Sequence, residues 1–141
     1  LREGEDRPTG NLCTPGTHVT IDGVFTEEHC INSRSSTYHG DQWVTAEAIV
    51  LGGTQLEHLI NGEPVLAYTD AVTGGGVVSG HDPAMKPEGA PLEAGYISLQ
   101  SEGHRIEFRN IQLLNLKGCM DTDAGSYTPW AVQNDPEACG E

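Results

Sequence analysis

The sequence predicts an all-β fold, an antiparallel β-sandwich, and three observations carry that expectation. Residues 95–116, GYISLQSEGHRIEFRNIQLLNL, alternate apolar and polar side chains with period two on either side of Gly103. Two dipeptides, Asp22-Gly23 and Asn61-Gly62, are the favoured turns of two-residue hairpins and lie between alternating runs. Eighteen Gly and eight Pro in 141 residues favour turns and short strands over helices.

Each element follows from the same reasoning. Thr17 to Ile21 alternates as a short strand, Asp22-Gly23 turns it, and Val24 to Thr26 returns. Residues 41–51 set Val44, Ala46, Ala48 and Val50 on one face, and Gly52-Gly53 ends the run. Gln55 to Ile60 and Glu63 to Tyr68 flank Asn61-Gly62 as a hairpin. Residues 69–94 read as a long glycine- and proline-rich insertion, of the kind that is usually functional or disordered. Two strands, 95–102 and 105–115, complete the set. In the first of these Ile97 and Leu99 share a face, and in the second Ile106 and Phe108 do. Near the bend Gln100, Glu102, His104, Glu107 and Arg109 crowd together more polar chemistry than a strand requires. This is the first place to look for a site.

Charge and length exclude several function classes. Twenty-one acids against seven bases give a net charge of −14, which repels nucleic acid phosphates and anionic membranes. No run approaches the roughly 20 apolar residues of a membrane span. The four cysteines, Cys13, Cys30, Cys119 and Cys139, form no CxxC pair, which argues against a zinc knuckle. Cys13–Cys30 with Cys119–Cys139 is the simplest of the three disulfide connectivities, and it points to an oxidising compartment. A secreted, extracellular or periplasmic location is expected.

The stretch 95–116, with YHGDQWVTAEAIVLGG and QLEHLINGEPVLAY before it, resembles the 3-keto-disaccharide hydrolase domain family. The resemblance implies a concanavalin-like jelly-roll sandwich over residues 1–116. Within that pattern Leu1 falls at the end of a strand, so the N-terminal strands of the sandwich are expected to be missing. They are expected either upstream in a longer protein or from a neighbouring chain, as a homo-oligomer or fibre built by strand complementation.

The implied function is to act on or bind carbohydrate. A ketone at C3 acidifies the neighbouring C–H, so the chemistry needs a base and a group that stabilises an enolate, not the paired carboxylates of ordinary retaining hydrolases. The resemblance assigns Glu102 and His104 to acid–base work, with Arg109 in support. His18, His39, Asp41, Trp43 and Gln100 are the candidate substrate-binding residues. Histidines in loops are more often hydrogen-bonded than ligating, and a Trp that opens a strand is more often core. The competing reading is a non-catalytic carbohydrate-binding module or the subunit of an extracellular assembly.

Residues 117–141 differ in composition and read as a separate tail closed by Cys119–Cys139. The tail resembles short cysteine-bounded acidic repeats of secreted bacterial proteins, with Thr122 and Ser126 departing from their pattern. Oxygen ligands from Asp121, Asp123 and Asp135 would suit Ca²⁺ or another divalent metal. The competing reading is a disulfide-stapled acidic tail.

Overall fold

The computed structural model describes residues 4–75, 82–101, 103 and 105–140. The chain divides into two compact units, Leu1–Tyr96 and Ile97–Glu141. The fold is all-β, as expected of an antiparallel β-sandwich, and no α-helix occurs among the described residues.

The first unit is built on a five-stranded antiparallel sheet. Its strands are β2 (Thr17–Ile21), β3 (Val24–Thr26), β5 (Ala46–Leu51), β6 (Gln55–Ile60) and β7 (Glu63–Thr73), in the order β3-β2-β7-β6-β5. Two of its connections are the turns legible in the sequence. Asp22 and Gly23 have φ of 49° and 77°, and Asn61 and Gly62 have φ of 52° and 82°. Paired positive φ values suit Asn or Asp followed by Gly, which tolerate the left-handed region best.

β7 extends to Thr73, beyond the expected end at Tyr68. Its first half pairs with β6 and its second half with β2. Asp70, at φ 51°, sits where the β2–β7 register shifts between His18 and Thr20. One extra residue in the left-handed conformation makes a bulge, which re-aims the side chains around it. A second shift, between His58 and Leu59, lies opposite Val65. At these two irregularities consecutive residues are buried together, His18 with Val19 and Val65 with Leu66.

The core of this unit is Val19, Ile60, Val65, Leu66 and Ala71. An N-terminal strap covers part of it. β1 (Leu12–Cys13) pairs with β4 (Cys30–Ile31), and the Cys13–Cys30 disulfide joins them with Cα atoms 4.1 Å apart. Ser33 is buried, donating from Oγ to the Thr9 carbonyl at 2.6 Å, while its N–H donates to Asn11 Oδ1 at 2.8 Å. The Arg34 N–H donates to the Val65 carbonyl at 2.9 Å and fixes the strap to β7. Replacing Cys13 and Cys30 together by Ser is expected to cost on the order of 3 kcal/mol, because the disulfide closes a 17-residue separation. Chemical denaturation of the wild type and the double variant measures it.

After β7 the chain returns alongside it. Thr73 donates its N–H to the Ala90 carbonyl at 2.8 Å, and its own carbonyl accepts from the Gly89 N–H at 2.8 Å. The Leu92 N–H donates to the Ala71 carbonyl at 2.8 Å. The insertion expected at 69–94 is therefore part strand and part anchored return. Residues 76–81 lie outside the described residues.

The sequence expectation fails at 95–102 and 105–115. None of the described residues there belongs to a strand, and all of them are exposed. Period two reports which face a side chain would take, whereas a strand also needs a neighbour to accept its backbone hydrogen bonds. The second unit instead takes its order from the disulfide-closed tail. There β8 (Lys117–Gly118) pairs in parallel with β9 (Gln133–Asn134), and Cys119, bonded to Cys139, is fully buried. Both disulfides are the local pairs that the sequence suggested.

Candidate functional site

The open face of the five-stranded sheet is organised by register. Directly opposed residues in antiparallel strands point to the same face. Phe25 opposes Thr20, Thr20 opposes Thr69, and Gln55 opposes Leu51. Gln55 lies one step beyond the Leu56–Tyr68 pair, which sets it beside Thr69. One row therefore crosses all five strands, reading Phe25, Thr20, Thr69, Gln55, Leu51. An open depression of about 250 Å³ lies along it, lined by Thr20, Asp22, Gln55, Ala67, Tyr68 and Thr69.

The next row of the same face holds His18, one of the residues singled out from the sequence. Its ring is buried and stacks on Phe25 with centroids 5.6 Å apart and planes 25° apart. Nδ1 lies 3.5 Å from the Glu27 carboxylate. Gly74 borders the other side so closely that a Cβ there would lie 1.4 Å from His18 Cδ2. Glycine is required at that position because the imidazole already fills the space. Lys86 Nζ donates to the Gly74 carbonyl, so the returning chain also holds this corner.

A second histidine escaped the sequence reading. His58 lies in QLEHLING, the segment whose alternation and Asn61-Gly62 turn predict a hairpin. Its Nδ1 is 2.8 Å from the Gly10 carbonyl and its Nε2 is 3.1 Å from the Tyr68 hydroxyl. A carbonyl only accepts, so Nδ1 carries the proton and donates. Nε2 is then left to accept from the tyrosine O–H. The two rings meet edge to face at 5.4 Å. A sequence signal existed: His58 falls between Leu56 and Ile60 on the alternating face, the place for an imidazole tied to the core. Tyr68→Phe is expected to cost about 1 kcal/mol by leaving Nε2 without its donor, measured by thermal unfolding.

Burial raises the Tyr68 phenol above its ordinary value of 10.0. The folded chain thus holds this proton more tightly than the unfolded chain does. Its contribution is complete below pH 10.0 and is lost as pH rises through the folded value.

The remaining predicted residues are dispersed. His39 is exposed, with Nε2 3.9 Å from Asp6 Oδ1. Asp41 and Trp43 are exposed in the segment before β5. Gln100 and Arg109 are exposed in the second unit. Glu102 and His104, the proposed acid–base pair, lie outside the described residues. Arg105 pairs with Glu107. In the tail, the Asp121 carboxylate accepts the Asp123 N–H at 3.0 Å, and Asp135 lies 3.3 Å from Lys117 Nζ. Among the described residues no three His, Cys, Asp or Glu side chains come together as a metal-holding group.

No described helix is long and apolar enough to cross a membrane. No curated protein and no solved structure matches the chain. The profile of the 3-keto-alpha-glucoside-1,2-lyase-like domain, in contrast, matches residues 2–114, a span that takes in the strap, the whole five-stranded sheet and the polar stretch around Gly103. The chain belongs to the 3-keto-alpha-glucoside-1,2-lyase-like domain family.

Proposed function

We propose that this chain is a carbohydrate-active catalyst that cleaves the glycosidic bond of a 3-keto glucoside by elimination across C1 and C2. The family match over residues 2–114 carries this reading. The C3 ketone makes the C2 proton acidic. A base removes that proton, the electron pair forms the C1–C2 double bond, and the C1–O bond breaks. The departing oxygen then takes up a proton. In this scheme Glu102 is the base, His104 protonates the leaving oxygen, and Arg109 steadies the negative charge that builds on the C3 oxygen. The two disulfides support export from a reducing cytoplasm.

The test is turnover. Wild-type protein incubated with a 3-keto glucoside and with the parent glucoside is expected to release aglycone from the first only. Turnover of neither substrate would refute the catalytic reading.

A second reading, a binding or assembly module without catalysis, is favoured by one observation. Ile97, Ile111 and Leu113 are 81%, 71% and 86% exposed, a cost normally offset by a partner surface.

A further inference from the structure

We propose that the row Phe25, Thr20, Thr69 and Gln55, with Asp22 at its rim, is a subsite for one neutral pyranose ring. The proposal rests on the carbohydrate reading above and adds to it a place on the sheet and the physical reason that place admits a neutral ring over an anionic one.

The row offers what a pyranose needs. Thr20, Thr69 and Gln55 come from three adjacent strands, spaced by about 4.8 Å, so hydroxyl, hydroxyl and amide follow one another along a line. Neighbouring sugar hydroxyls each both donate and accept, and Thr and Gln side chains do the same. Among the described residues Thr20, Asp22 and Gln55 spend no side-chain hydrogen bond on the protein. Thr69 donates from Oγ1 to Asp70 Oδ2 at 2.6 Å, which leaves its oxygen lone pairs to accept from a sugar hydroxyl. Ala67 gives the depression a small apolar lining. At one end of the row Phe25 is 55% exposed. Its ring plane is fixed by the stack on His18, and its free area suits the C–H face of a sugar. The depression, about 250 Å³ and open, has the size of one ring rather than of a long oligosaccharide.

Charge decides the class of sugar. The five strands of the sheet contain no Lys or Arg. Asp22 lines the depression, Glu57 lies on β6, and Glu27 follows β3 beside His18. A uronate or phosphorylated sugar would bring its anion to strands that carry no cation, inside a protein of net charge −14, while Lys86 Nζ beyond His18 is spent on the Gly74 carbonyl. A neutral hexose meets no such opposition.

The test titrates ¹⁵N-labelled protein with methyl α-D-glucopyranoside and, separately, with its C6 carboxylate counterpart, methyl α-D-glucopyranosiduronate. Saturable shifts of the Thr20, Gly23, Gln55 and Thr69 amides are expected with the neutral sugar, at least tenfold weaker with the uronate. Gln55→Ala, at an exposed position, should weaken the neutral sugar about 5- to 10-fold, and Asp22→Asn should narrow the gap between the two sugars. Shifts confined to other residues, equal binding of both sugars, or an unchanged affinity in Gln55→Ala each overturn the subsite. The two readings fail separately. Turnover of a 3-keto glucoside without these shifts removes the subsite and leaves the carbohydrate function standing. No turnover and no sugar-induced shift anywhere in the chain removes both.

Discussion

Glu102→Gln is expected to lower turnover of a 3-keto glucoside by about 100- to 10,000-fold, the usual worth of a positioned general base. The amide keeps the shape of the side chain and removes the lone pair that takes the C2 proton. His104→Ala should fall in the same range if leaving-group protonation is its task. The competing account makes Glu102 half of an exposed ion pair with Arg105 or Arg109, worth at most about 1 kcal/mol of stability and nothing in rate. Arg105 already has a carboxylate partner in Glu107, which weakens one version of that account. Steady-state kinetics with melting temperatures alongside separates the two. A rate loss at unchanged melting temperature supports proton transfer, and wild-type rates in both variants refute it.

Gly74→Ala, one residue past β7, is expected to be a strongly damaging small substitution. Its new Cβ would lie 1.4 Å from His18 Cδ2 and 1.8 Å from Nε2. Either the imidazole leaves its slot against Phe25 or the end of β7 moves. Overpacking of this kind costs about 1–3 kcal/mol, a fall in melting temperature of about 3–10 °C for a chain of this size. Gly75→Ala is the control, since nothing lies within 4 Å of a Cβ there. The close approach also makes a sharper claim. In a His18→Ala background the Gly74→Ala cost should largely vanish, because the clashing ring is gone. An equal cost in both backgrounds would mean that Gly74 is needed for some other reason.

Local chemistry made part of the fold readable. Asp22-Gly23 and Asn61-Gly62 specify their own backbone, so both hairpins and the β6–β7 pairing follow from dipeptides and alternation. Cys13–Cys30 and Cys119–Cys139 were readable because each pair is close in sequence. The extension of β7 to Thr73 was not, because it turns on Asp70 in a left-handed bulge that no strand propensity announces. Residues 95–115 misled in the opposite direction. Their alternation is real, yet a ladder depends on a partner strand, and a sequence pattern does not contain its partner.

The site divides in the same way. His18 stood out as a histidine, but Gly74 sits in a run of three glycines that look alike until one of them meets an imidazole. His58 lies in a segment that alternation and the neighbouring Asn-Gly turn already account for, so its ties to Gly10 and Tyr68 appear only in the fold. The row from Phe25 to Leu51 combines register across five strands, and only pairing brings those residues onto one line.

Solvent exchange at C2 tests the proposed chemistry most directly. A 3-keto glucoside is incubated with the protein in D₂O, and loss of the C2–H signal is followed by proton NMR. Wild-type protein is expected to speed exchange or elimination at C2 well beyond buffer alone, and Glu102→Gln to return it to the buffer rate. Wild-type protein that leaves the C2 proton as slow to exchange as buffer does would contradict base chemistry beside the ketone.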